Sequence, residues 1–195
     1  MPAAHRPETH SVKYLWLLRH AKATAHGHRG GSDYDRPLTA RGRRDATALG
    51  NRLAAGVGVF GLDGVALPQV ALTSAAARTN ETAALVAEGM GAPLRIDSYR
   101  SLYQAGTETI LQYIREIDDD VISAMVVGHN PTIYRLAWEL LSDDGSGAGE
   151  SGGREQLKEH GFPTCTVAVL VLPISSWSDA TEGIATLAGV FSPPY

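Results

Sequence analysis

The chain predicts an α/β fold, a sheet whose strands are joined by helical crossovers, and three observations carry that expectation. Strand-like and helix-like segments alternate along its length. The apolar runs at residues 14–18 and 121–127 are too continuous for half-exposed edge strands and read as buried central ones. Three strand-to-helix junctions carry histidine or arginine, at the sheet edge where open α/β folds bind ligands.

The elements follow in order. Residues 13–18 form the first strand, and a polar, Gly-rich loop follows over residues 21–36. Thr39 caps a helix running towards Leu53, with Ala46, Leu49 and Leu53 on one face. Residues 70–73 form a short second strand. Ser74 then opens a helix to about Met90, striped by Thr79, Ala83, Val86 and Met90. Residues 94–97 read as a third strand. Thr107 caps the next helix, whose inward face is Ile110, Leu111, Ile114 and Ile117, and Asp118-Asp119-Asp120 ends it.

Residues 121–128 form a buried strand, after which Asn130 as N-cap and Pro131 at the first helical position start a helix at once. Its apolar positions are Ile133, Leu136, Ala137, Leu140 and Leu141. Residues 142–153 shift to Gly, Ser, Asp and Glu and read as a mobile surface loop rather than a domain linker, because about 40 residues remain. Residues 164–172 and 184–191 close the sheet as two strands. With no internal repeat, residues 12–195 are expected to form one domain behind a disordered or extended tail at residues 1–11.

Composition narrows the function. The 195 residues are 44% hydrophobic and 19% charged, values of an ordinary folded protein with room for one core. A net charge of −4 gives no electrostatic reason to expect a nucleic-acid partner. The lone cysteine, Cys165, sits in an apolar stretch and reads as a small core residue, so no intrachain disulfide is expected. No apolar run approaches the roughly 18 residues of a membrane span, and the polar N-terminus has no signal-like apolar region. A cytoplasmic protein without a membrane partner is the expectation.

The chemistry gathers at the three junctions: Leu18-Arg19-His20, Ser74 through Arg78-Thr79, and Gly128-His129-Asn130-Pro131. Parallel strands would bring them to one sheet edge, beside helix N-termini that favour anions. A single histidine at a strand end is ordinarily structural, and Arg78 alone would ordinarily be solvated or ion-paired. Their occurrence together at equivalent positions reverses that balance. Arg19 and Arg78 supply planar donors for phosphoryl oxygens. Neutral His20, its ring oriented by a backbone carbonyl of the loop, can attack phosphorus. His129, when protonated, adds charge and a donor. No metal or other cofactor is required. His26-Gly27-His28 lacks a carboxylate or Cys at ligand spacing, so it reads as part of a basic loop steering an anion rather than a metal site.

Four segments resemble the histidine phosphatase superfamily, also called phosphoglycerate mutase-like, and within it the compact SixA-type phosphohistidine phosphatases. They are residues 17–22 (Leu-Leu-Arg-His-Ala-Lys), 35–42 (Asp-Arg-Pro-Leu-Thr-Ala-Arg-Gly), 74–79 with Thr82-Ala83, and 127–131 (Val-Gly-His-Asn-Pro). Pro163-Thr164-Cys165 before an apolar strand also fits, and the likeness spans residues 13–192. It implies a three-layer α/β/α sandwich around a mostly parallel sheet with one antiparallel strand. It further implies that His20 is the phosphorylated nucleophile and that Arg19, Arg78 and His129 complete the phosphate pocket. Arg36 is a candidate substrate contact at the rim, although an ion pair with Asp33 or Asp35 is its favoured role.

Larger members of the superfamily carry a glutamate after the third strand that protonates an alkoxide leaving group. The corresponding stretch here has Gln104, which cannot donate a proton as a general acid. Glu108, Asp33 and Asp35 are nearby carboxylates, expected to be solvated. The missing acid favours a leaving group that departs without help, so the leading expectation is a metal-independent phosphatase acting on protein phosphohistidine. The alternatives are a phosphatase of small phosphate esters or nucleotide phosphates using the same pocket, and a non-catalytic phosphate-binding module. The partner is accordingly a phosphorylated protein or a small phosphorylated metabolite, and the oligomeric state is left open.

Overall fold

The computed structural model describes residues 12–25, 32–142 and 152–195. The expected tail at residues 1–11, the His26-Gly27-His28 part of the first loop and nearly all of the expected 142–153 loop lie outside these. One six-stranded sheet organises the rest, in the order β3-β2-β4-β1-β5-β6. The strands are β1 (Lys13–Arg19), β2 (Val70–Ser74), β3 (Arg95–Tyr99), β4 (Ser123–Gly128), β5 (Val167–Leu172) and β6 (Thr186–Phe191). The pairs β1–β4, β2–β4 and β2–β3 are parallel, whereas β5 runs against both β1 and β6. One strand in six is therefore reversed, in the mostly parallel arrangement expected.

The period-2 geometry of β1 explains why it is apolar throughout. Leu15 and Leu17 enter one core, Trp16 and Leu18 the other. β4 does the same with Ala124 and Val126 against Met125 and Val127. Helices α1 (Ala40–Ala54) and α2 (Ala77–Met90) cover the Trp16 face through Ala46, Leu49, Leu53, Ala83, Val86 and Met90. Helices α3 (Thr107–Arg115), α4 (Thr132–Leu140) and α5 (Gly153–His160) cover the other through Ile110, Ile114, Ile133, Leu136 and Leu157. The result is three layers.

Thr39 caps α1 as expected, its hydroxyl accepting the Gly42 N–H at 3.0 Å. α1 and α2 approach through glycine: a Cβ on Gly50 would meet Val86 O at 2.5 Å, and one on Gly89 would meet Thr47 O at 2.8 Å. Gly91, in the left-handed region with φ 63°, ends α2.

Several boundaries differ from expectation for local reasons. Ser74 does not open a helix; it pairs with Tyr99 as the last residue of β2, and α2 starts three residues later after Ala76. Thr107 is the first residue of α3 rather than its cap, which is Gly106. Asn130 does not cap α4: Pro131 takes that place, and the Asn130 amide donates instead to Phe162 O at 3.0 Å. β5 begins at Val167, because Cys165 adopts φ 64° and breaks the extended run. Helix α5 was hidden beside the Gly-rich composition that precedes it. Cys165 is buried, and burial pushes its thiol up to about 12. No helix among the described residues is long and apolar enough to cross a membrane.

Candidate active site

The C-terminal ends of β1, β2 and β4 meet at one edge of the sheet. Parallel register sets Arg19 opposite Gly128 and Thr73 opposite Val127. His20 continues the ladder, its N–H donating to Gly128 O at 3.0 Å, so His20 and His129 emerge side by side with ring centroids 5.2 Å apart. The next residue is tethered across the edge by Ala21 N–H to Thr82 Oγ1 at 3.0 Å. Cys165 N–H reaches back to the carbonyls of Arg19 and His20 at 3.2 and 3.1 Å, which ties the β5 turn to the same point.

A basin of about 370 Å³ opens there, lined by Arg19, His20, Lys22, Ala23, Arg36, Arg78, His129, Asn130 and Thr164. All five residues expected at the site, Arg19, His20, Arg36, Arg78 and His129, are thus brought together. A second cavity of about 150 Å³ adjoins it, sharing His129 and Asn130 and including Tyr103 and Gln104 in its lining.

The His20 ring is held by Nδ1, 2.8 Å from Ala21 O. A carbonyl only accepts, so Nδ1 carries the proton and Nε2 keeps its lone pair. Burial lowers the His20 pKa to about 4, helped by the positive charges of Arg78, Arg19 and Arg36. The imidazole is therefore neutral at neutral pH. His129 contacts Ser74 Oγ through Nε2 at 2.8 Å. Burial first, then the charges of His20 and Arg78, lower its pKa to about 3. In the free protein His129 is neutral; the protonated form expected from the sequence needs an anion in the basin to favour it.

The arginines are positioned with donors to spare. Arg19 donates from Nη1 to Phe162 O at 2.8 Å, and Arg78 donates from Nη1 to Asp33 O at 2.7 Å. The Nε atoms of both, together with His129 Nδ1 and Asn130 Oδ1, are buried without a hydrogen-bond partner. Three unmet nitrogens around a neutral histidine, at the ends of parallel strands, suit a ligand carrying several oxygen acceptors.

Of the three carboxylates, Asp35 and Glu108 are exposed as expected, and Asp33 departs from expectation. Asp33, its side chain 33% exposed, is not merely solvated: it receives Arg36 Nε at 2.8 Å, Arg78 Nη2 at 3.1 Å and the Tyr103 hydroxyl at 2.6 Å. The Tyr103 bond, with the two guanidinium charges, holds its pKa down to about 2. It is too acidic to keep a proton for a leaving group. Asp35 accepts from Ser32 Oγ at 2.6 Å, and Glu108 pairs with Arg115 on the surface at 3.2 Å. Arg36 forms its favoured ion pair with Asp33 and still lines the basin. Sequence reading named Asp33 as a partner for Arg36 but missed its bonds to Arg78 and Tyr103, and it missed Tyr103, Ser74 and the Phe162 carbonyl as parts of the site. Only Ser74 had a signal, its place at the second junction. No group of three or more His, Cys, Asp or Glu side chains placed to hold a metal occurs among the described residues.

A mostly parallel sheet with two histidines and three arginines gathered at its carboxyl edge defines an α/β protein with a cationic, anion-binding site. The model of the histidine phosphatase superfamily (branch 1) matches residues 15–99. The uncharacterized protein Rv1276c of Mycobacterium tuberculosis (strain ATCC 25618 / H37Rv) is 36% identical over 178 residues, 90% of this chain and 99% of the relative. Among solved structures, the putative phosphohistidine phosphatase SixA from Nakamurella multipartitia is 31% identical with a TM-score of 0.76, covering 95% of this chain and 98% of that one. The putative phosphohistidine phosphatase SixA from Agrobacterium tumefaciens is 25% identical with a TM-score of 0.66, covering 93% and 98%. The chain belongs to the histidine phosphatase superfamily and is SixA-like within it.

Proposed function

We propose that this phosphatase removes phosphate from protein phosphohistidine, without a metal, by way of a phosphorylated His20. The observation that carries the proposal is a neutral His20, its Nδ1 proton fixed on Ala21 O, among the buried and unmet nitrogens of Arg19, Arg78 and His129. In the first displacement the Nε2 lone pair attacks phosphorus while the bond from phosphorus to the leaving group breaks, its electrons staying with that group. Arg19, Arg78 and Arg36 bind the phosphoryl oxygens, and their charge offsets the charge building on them. His129 supplies a further donor once the bound dianion favours its protonation. In the second displacement water attacks the phosphorus, His20 Nε2 leaves with its electron pair, and the water loses a proton to solvent or to phosphate.

The substrate class follows from the leaving group. Asp33 is held far too acidic to serve as a general acid, and Gln104 stands beside the neighbouring cavity without a proton to give. Phosphohistidine brings its own proton on the other ring nitrogen and leaves as neutral imidazole. An alkoxide needs a donor that these residues do not supply. The names of the SixA-like structures agree with this choice.

The test has two parts. Brief incubation with a labelled phosphodonor is expected to leave acid-labile, base-stable phosphate on the parent protein and none on His20→Ala. Equal labelling of the two would overturn the mechanism. A phosphohistidine-bearing protein is then compared with a panel of sugar and nucleotide phosphates. Preference for the esters would overturn the substrate and leave the basin's role intact.

A further inference from the structure

We infer that Asp33 is the positioning residue of the basin: its carboxylate sets the directions in which Arg78 and Arg36 present their remaining donors to a phosphoryl group. The inference rests on the phosphatase reading above.

Asp33 gathers donors from three separate parts of the chain. Arg36 follows it in the loop, Arg78 stands on the first turn of α2, and Tyr103 lies in the short 3-10 turn Arg100–Gln104 after β3. Arg36 lies on Oδ1, while Arg78 and Tyr103 share Oδ2. Asp33 is not among the groups lining the basin, whereas Arg78 and Arg36 are. It therefore grips both arginines from outside the basin and does not occupy the anion's place.

The grip has directional content. A guanidinium is planar, so fixing two of its nitrogens fixes the plane and the direction of every other N–H. Asp33 fixes both terminal nitrogens of Arg78, Nη1 through its carbonyl and Nη2 through its carboxylate. Among the donors left over is Nε, buried and unmet. Arg36 is fixed in the same manner, by Nε on Asp33 and Nη1 on Thr24 O at 2.6 Å. Tyr103 carries the effect to the histidine: its ring stands edge-on to His129 at 5.6 Å, and Arg78 lies over it at 5.8 Å. One carboxylate against Arg19, Arg36 and Arg78 also leaves the basin positive.

A merely structural ion pair would affect stability alone. A positioning role separates two oxyanions. Vanadate takes the five-coordinate geometry of phosphoryl transfer and depends on donor direction, whereas tetrahedral phosphate responds mainly to net charge, which Asp33→Asn makes more positive. Binding of sodium vanadate and of inorganic phosphate is measured by calorimetry on the full chain, with thermal melting alongside. Asp33→Asn is expected to weaken vanadate at least about tenfold, the scale of one charge-assisted hydrogen bond, and to leave phosphate as tight or tighter. Tyr103→Phe, which keeps both arginine pairs, is expected to act in the same direction with smaller size. The double variant should lose less than the two losses combined, because both act through one carboxylate.

Unchanged vanadate binding in Asp33→Asn, with or without a lower melting temperature, overturns the proposal. So does a proportionate loss of both anions. If Asp33→Asn fails to fold, Tyr103→Phe carries the same comparison, and unchanged vanadate binding there overturns it. A parent protein that binds neither oxyanion overturns the phosphatase reading itself. A parent that binds both, with variants that match it, overturns only the role of Asp33.

Discussion

His20 and His129 stand side by side with the same residue type and different tasks. His20 has its Nδ1 proton fixed by a backbone carbonyl, which leaves Nε2 as the nucleophilic atom. His129 touches Ser74 through Nε2 and keeps an unmet Nδ1, as suits a group that gains a partner only when an anion arrives. His129→Ala is expected to lower kcat by at least about a hundredfold, the scale of losing one donor to a developing charge. KM should change far less, because Arg19, Arg36 and Arg78 still bind the phosphoryl group. Steady-state kinetics on a phosphohistidine-bearing protein checks this; an unchanged kcat would reduce His129 to scaffold. At this scale the sequence exposed the cationic groups, a carbonyl for His20 and an Asp33 or Asp35 partner for Arg36, but not the partners of Arg19, Arg78 and His129. Arg19, His20, Arg78 and His129 stand beside recognisable strand ends, so their meeting could be read from a parallel sheet. Asp33 and Tyr103 are 70 residues apart and meet only through the path of the loop and the turn after β3.

Among the elements, the α1–α2 pair bears on the site from behind. α2 carries Arg78 on its first turn, and its seating against α1 depends on two glycines that face backbone. Gly50→Ala would drive a Cβ towards Val86 O at 2.5 Å and Gly89 Cα at 2.9 Å, atoms that move only if a helix shifts. A loss of about 1–3 kcal/mol of stability is expected, the usual cost of overpacking. Urea denaturation measures it, and no change would mean the helices separate at no cost. The apolar stripes of α1, α3 and α4 were legible because each repeats at helical period against a polar face. The start of α2 was not, since whether Ser74 ends a strand or opens a helix depends on its pairing with Tyr99 across the sheet. Helix α5 escaped for a different reason. It is short and polar, with Leu157 its principal anchor, so no stripe announces it.

For the molecule as a whole, neutral buried histidines tie folding to pH. Their pKa values fall from 6.5 to about 4 and about 3 on folding. Above pH 6.5 they are neutral in both states and cost nothing. Between 6.5 and the folded values the unfolded chain binds more protons, so stability falls as pH falls. The loss is expected to be about 2 kcal/mol per histidine by pH 5. Asp33 adds a separate loss at lower pH, as it is protonated from 3.8 down through about 2. Urea midpoints of the parent at pH 7.5 and 5 should therefore diverge, and the difference should shrink in a His20→Gln, His129→Gln double variant. Equal midpoint shifts in the two proteins would show that other groups govern the acid response. The sequence by itself determined the α/β class, the apolar strands and five of the six basic residues that line the basin, because local periodicity and residue type encode them. Tertiary structure alone decided that Asp33, besides Arg36, also anchors Arg78 and Tyr103, that His129 is neutral, and that no nearby carboxylate is left as an acid. Those are properties of burial and long-range contact, which no single stretch of chain carries.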